Sequence, residues 1–79
     1  MKARVYVSLK PSVFDPQGSV VAQALTSMGY RDVKDVRQGK FFEVELDGTD
    51  EAAARARVIE MADKLLANPV IESYRVEML

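Results

Sequence analysis

The apolar residues of this chain switch between two spacings, and that switching limits the folds open to it. In Ala3-Arg4-Val5-Tyr6-Val7-Ser8-Leu9, the residues Ala3, Val5, Val7 and Leu9 face one way and Arg4, Tyr6 and Ser8 the other. Period two with β-branched residues predicts a half-buried strand. After a loop with two prolines the spacing becomes helical, with Val20, Val21, Ala24, Leu25 and Met28 in one stripe. Asp15 can accept from exposed backbone N–H groups at the helix start, Pro16 suits the first helical position, and Gly29 suits the stop. Gly18 lies in the first turn, where it costs up to about 1 kcal/mol relative to Ala. Close approach of another segment or an anion near the helix end would justify it, and so would plain tolerance.

Val33-Lys34-Asp35-Val36-Arg37 reads as a short strand, and Gln38-Gly39 as a bend or bulge before a strand over 40–46. The two form either a tight hairpin or one kinked strand. In the second, Phe42, Val44 and Leu46 share one face, and Phe41, Glu43 and Glu45 the other. Thr49 or Asp50 can cap a second helix whose buried stripe is Ala54, Val58, Met61, Ala62 and Leu65. Glu51 with Arg55, and Glu60 with Lys64, stand four apart in the favourable order. Pro69 ends this helix, because the residue before proline is pushed out of helical space. In the last strand Val70, Tyr74, Val76 and Met78 share a face broken by Glu72. The order β-α-β-β-α-β predicts an α+β two-layer sandwich, a single domain over 1–79, with two helices on one face of an antiparallel sheet.

A chain of 79 residues buries only about 60–65% of its unfolded surface and is marginal alone. With no cysteine and no histidine, disulfides, zinc sites built from those residues and histidine-dependent nucleophilic catalysis are excluded. Of the usual stabilisers of small domains, oligomerisation remains. Lys plus Arg is 11 against 12 for Asp plus Glu, without the basic excess that nucleic-acid binding uses. Gln38–Leu46 resembles the aromatic strand of an RNA-recognition module in outline, but Glu43 and Glu45 on Phe41's face would repel phosphate. No apolar run approaches the roughly 20 residues that span a bilayer, and the first residues lack a signal-peptide core. The expectation is a cytoplasmic protein without nucleic-acid or membrane partners.

Carboxylate pairs such as Glu43/Glu45 and Asp32/Asp35 imply no cleft, and Gly39-Lys40 lacks the rest of a phosphate-binding loop. No catalytic, cofactor-binding or metal-binding residue is expected. Phe41 is the anomaly, a large apolar side chain on a face that should be wet. Tyr6, Ile71 and Leu79 are off-phase in the same sense, so the uncovered face carries candidate self-association residues.

Three segments, Leu9–Gly18, Val33–Leu46 and Lys64–Glu77, resemble in order and spacing the PurS subunit of phosphoribosylformylglycinamidine synthase. The resemblance covers essentially the whole chain. It implies a non-catalytic assembly subunit in de novo purine synthesis that self-associates as a homodimer or homotetramer. It implies two partners: a large synthase subunit (PurL), which binds ATP and magnesium, and a glutaminase subunit (PurQ), which releases ammonia. This chain would bind no cofactor itself, would bridge the other two and would aid ammonia transfer. The family-like positions include Lys10, Asp15, Pro16, Gly18, Arg37, Gly39, Lys40, Asn68, Pro69 and Tyr74. Asp15, Pro16, Gly39 and Pro69 have structural explanations and Arg37 and Lys40 have weaker ones, and the expected partner contacts are Lys10, Arg37, Lys40 and Asn68. An ACT-type amino-acid-binding regulator shares the same order of elements. Such modules use a glycine-containing turn after the first strand, where this chain has prolines.

Overall fold

Strand β1 (Lys2–Leu9) is the centre of the sheet, and its alternation is the reason. Ala3, Val5 and Val7 turn one row of small apolar side chains to the interior, where all three are buried. In the computed structural model, which describes residues 1–79, β1 pairs antiparallel with β2 (Gly39–Glu45) on one side and β3 (Glu72–Met78) on the other. Val5 stands between Phe42 and Val76, and Tyr6 between Phe41 and Arg75. The chain termini are sewn into this sheet. Met1 and Leu46 exchange backbone hydrogen bonds at 2.8 and 2.9 Å, and Leu79 N–H donates to Lys2 C=O at 2.9 Å.

One helix covers the interior row. α2 (Glu51–Met61) starts at Asp50, whose carboxylate accepts from Ala53 N–H at 3.2 Å. Ala54, Val58 and Ala62 recur every fourth residue and are buried, and Val58 packs with Ala3, Val5, Val7 and Val76. Two alanines in that stripe let the helix axis approach β1 and β3 closely. The helix runs on through a wider π-helical turn, Ala62–Leu66, closed by Ala67 N–H to Ala62 C=O at 3.0 Å. The wider turn alters the facing residue: Leu66 packs against the core, while Leu65, expected inside, is 82% exposed. Lys64 meets Glu60 at 2.6 Å as expected. Arg55 does not meet Glu51 but donates to Val76 C=O at 3.3 Å.

The α+β class and the two helices are as the sequence predicts, but the first helix is placed differently. α1 (Pro16–Ser27) begins at Asp15 and is followed by Gly29 at φ 105°. It stands clear of the sheet, and Gly18 is its only buried residue. Val20 and Met28 are 65% and 71% exposed, so most of the apolar stripe of α1 is open to solvent, with Leu25 half-buried. Residues 33–38 return beside α1 without regular secondary structure. Lys34–Arg37 make no backbone–backbone hydrogen bond, and β2 begins only at Gly39. The stretch 33–46 is therefore neither hairpin nor kinked strand, and the sheet has three strands. Together α1 and 30–38 form an arm. It stretches the molecule to 49 Å and its radius of gyration to 16.0 Å, where a compact chain of this length has about 11.6 Å.

Candidate functional site

The face of the sheet opposite α2 is uncovered, and cross-strand register fixes what stands on it. Tyr6 on β1 lies between Phe41 on β2 and Arg75 on β3. The Tyr6 and Phe41 rings are 6.0 Å apart between centroids, tilted by 42°. The Arg75 guanidinium sits 4.2 Å over the Tyr6 ring, and that of Arg4 lies 5.2 Å from the centre of Phe41. Arg4 also donates to the Tyr6 hydroxyl at 3.3 Å and pairs with Glu43 at 3.7 Å. The Tyr6 hydroxyl is the main reason that the Arg4 pKa is raised above its ordinary value, with Glu43 and Glu77 adding to it. Arg4 Nε is shielded from solvent with no partner.

Phe41 is thus the neighbour of the Arg4 cation, and the face is an aromatic–arginine mosaic rather than a greasy patch. Cation–π contact rewards such an arrangement, and tyrosine and arginine are enriched where proteins bind one another. The structure brings Tyr6 and Phe41 together and does not bring Ile71 and Leu79 to them. Those two lie just outside opposite ends of β3, about 26 Å apart at 3.3 Å per residue. Arg4 and Arg75 were not singled out from the sequence. Their parity with Tyr6 was readable, but their position beside it depends on the strand order.

The four expected partner-contact residues gather at one end of the sheet, where β1 finishes and β2 and β3 begin. Each has work inside the chain. Arg37 Nη2 donates to the carbonyls of Lys10 and Val13 at 2.9 and 2.7 Å, stapling the loop after β1. Lys10 N–H donates to Ile71 C=O at 2.8 Å, tying the same loop to β3. Lys40 Nζ lies 3.9 Å from Glu72 and 5.6 Å from the centre of the Phe42 ring. Glu72, which breaks the apolar face of β3, accepts from Asn68 N–H at 2.7 Å, and Asn68 Oδ1 accepts from Val70 N–H at 3.0 Å. These contacts build the turn into β3.

Asp15 is the residue whose role the sequence only half disclosed. Its carboxylate caps α1 by accepting from Gly18 N–H at 2.9 Å, and it also accepts from Gln38 N–H at 2.7 Å. One buried side chain therefore fastens both legs of the arm at its root. The Gln38 and Gly18 amides hold its pKa below the ordinary carboxylate value, and the Arg37 charge adds to the effect. Gly18 is present because of close approach: a Cβ there would stand 2.0 Å from Val36 C=O. On the helix side, Tyr74 donates its hydroxyl to Asp63 at 2.8 Å, which raises the tyrosine pKa. No three acidic side chains converge as a cation site, and no helix is long and apolar enough to cross a membrane.

Comparison with known proteins agrees with this geometry along the whole chain. Residues 2–79 match the family model PurS, described as phosphoribosylformylglycinamidine (FGAM) synthase. The chain is similar to the phosphoribosylformylglycinamidine synthase subunit PurS of Bacillus subtilis, 54% identical over 98% of this chain and 90% of that protein. The similarly named protein of Methanocaldococcus jannaschii is 38% identical over 98% of this chain and 93% of that one. Among solved structures, Bacillus subtilis PurS superposes with a TM-score of 0.83 at 55% identity, covering 96% of this chain and 94% of that one. A chain of the PurLQS structure from Thermotoga maritima superposes with a TM-score of 0.89 at 31% identity, covering 99% and 95%.

Proposed function

The chain belongs to the PurS family of FGAM synthase subunits, and from that membership we propose that it is the small assembly subunit of an FGAM synthase complex. It acts in purine biosynthesis, as a required subunit without catalytic residues of its own. The observation that carries this reading is its superposition along 99% of its length on a chain of PurLQS from Thermotoga maritima. The relatives support this reading and not the ACT-type regulator.

In this reading the synthase subunit binds ATP and magnesium, the glutaminase subunit releases ammonia, and this chain holds the two in register in the cytoplasm. Fixing that geometry replaces a diffusive encounter between ammonia source and acceptor, the kind of gain that positioning gives. The polar end of the sheet, with Lys10, Arg37, Lys40 and Asn68, is the surface we assign to the other subunits. Because their backbone contacts are already made within the chain, these residues present a rigid loop cluster with little left to order on binding. The open sheet face, centred on Tyr6 and Phe41 with Ile71 and Leu79 at its margins, is assigned to contact between copies of this chain, as a homodimer or homotetramer.

The test is reconstitution. Synthase and glutaminase subunits are assayed for FGAM formation with glutamine or with ammonium as nitrogen donor, with and without this chain. The expected result is loss of glutamine-dependent turnover without the chain, with ammonium-dependent turnover retained. Full glutamine-dependent turnover in its absence overturns the reading.

A further inference from the structure

β3 is an end strand, and its register with β1 fixes which of its backbone groups are free. Lys10 N–H donates to Ile71 C=O and Leu79 N–H to Lys2 C=O, so the odd-numbered residues along β3 direct their backbone groups at β1. In an antiparallel ladder these directions alternate, which turns Tyr74, Val76 and Met78 outward. Their N–H groups and the carbonyls of Tyr74 and Met78 have no backbone partner. Glu72–Met78 contains no proline or glycine that would blunt the edge. Only Arg55 reaches over it, donating to Val76 C=O at 3.3 Å, longer than the usual distance of about 2.9–3.0 Å.

A hollow of about 260 Å³ lies beside the same edge, where the widened turn at the end of α2 faces the start of β3. Ala62, Ala67, Pro69 and Tyr74 give it apolar walls, and Asp63 and Glu72 give it two carboxylates. Asp63 uses one oxygen on the Tyr74 hydroxyl. Glu72 uses one on Asn68 N–H and has Lys40 Nζ 3.9 Å from the other. Further along, Arg55 pairs with no carboxylate. The edge therefore carries negative charge beside Tyr74 and positive charge beside Val76. A strand laid on it places the side chains opposite those two residues on the helix side of the sheet, one against Asp63 and Glu72 and the other against Arg55.

We propose that the outer edge of β3 is a strand-addition site for an extended segment of another polypeptide, antiparallel to β3, with an acidic residue opposite Val76 and, two residues on, a lysine opposite Tyr74. The lysine stem fills the hollow while its ammonium meets the two carboxylates. The acidic residue draws Arg55 away from Val76 C=O, which then accepts from the added strand. Main-chain bonds supply the attachment, and the two charges set direction and register. A second copy of this chain does not fit: antiparallel addition of another β3 centred here brings two Arg55 side chains to one two-fold axis. The site lies away from the Tyr6–Phe41 face, and it stands independently of the subunits with which this chain is assigned to assemble.

The probe is a blocked heptapeptide with glutamate third, lysine fifth and threonine elsewhere, titrated into the isotope-labelled full chain and followed by nuclear magnetic resonance. The expected result is movement of the Tyr74, Val76 and Met78 amide signals, with slower exchange of those protons in heavy water. Replacing the glutamate and the lysine by threonine weakens binding about ten-fold, as loss of two cross-strand charge pairs does. Arg55→Glu weakens binding of the first peptide likewise, and a peptide with lysine at both positions restores it, a rescue that a merely disturbed edge does not give. Absence of saturable binding at millimolar peptide overturns the proposal. Equal affinity for the charged and the all-threonine peptides overturns it too. So do signal changes confined to Gly39–Glu45, since the added strand then lies on the opposite edge of the sheet.

Discussion

Gly18→Ala sets two opposed effects of known size against each other. Alanine is the better helix former by up to about 1 kcal/mol, so in an open first turn the substitution would stabilise. At this position the new methyl carbon would stand 2.0 Å from Val36 C=O and 2.9 Å from Asp15 Oδ2. Ordinary contact requires about 3.5 Å, so the backbone at Val36 must retreat by more than about 1 Å. That retreat pulls on Gln38 and Arg37, whose hydrogen bonds at 2.7–2.9 Å hold the arm to its root. Overpacking of a tight site costs about 1–3 kcal/mol, and each lost hydrogen bond about 1 kcal/mol more. With one hydrogen bond lost and the helix gain subtracted, the net is about 1–3 kcal/mol of destabilisation, or a melting temperature about 5–20 °C lower for a domain of this size. Urea and thermal denaturation at fixed protein concentration read it directly. A variant as stable as the parent, or more stable, would show that the arm root yields freely and would refute the latch.

Three further outcomes follow from the same contacts. The Asp15 pKa is lowered in the folded state, so its contribution is fully present above the unfolded value near 3.8 and is lost as pH falls through the folded value. Acid titration of stability therefore shows a decline below about pH 4 that Asp15→Asn largely abolishes, and equal acid limbs in both proteins would contradict this. Val58→Ala, at a fully buried site, lowers stability by about 1.5–3 kcal/mol in chemical denaturation, and a loss under half that would mean the core collapses onto the gap. Phe41→Ala weakens self-association by about 2 kcal/mol or more in sedimentation at varied concentration, and an unaltered dissociation constant would place the contact elsewhere.

The sequence disclosed what is local. Ala3, Val5 and Val7 on alternate positions, Asp15-Pro16 at a helix start and Gly29 at its stop are signals that neighbouring residues suffice to read. What it withheld depends on distant pairing. The stripe Val20–Met28 says that a face will be covered but not by which chain, and so the first helix was expected on its own sheet. Periodicity could not separate Leu65 from Leu66, because nothing in Ala62–Leu66 announces a widened turn. Arg37 resembled a surface charge until the carbonyls of Lys10 and Val13, more than twenty residues earlier, were seen beside it. Phe41 looked like exposed grease because Arg4 and Tyr6 join it, and Arg75 joins Tyr6, only through the order β2-β1-β3.

The double duty of the Asp15 carboxylate has a dynamic corollary. Since the amides of Gly18 and Gln38 are held by the two oxygens of one carboxylate, any motion that withdraws that carboxylate frees both legs of the arm at once. Opening by that route is a single cooperative event, and in heavy water those two protons become exchangeable together, apart from the frayed amides near Gly29.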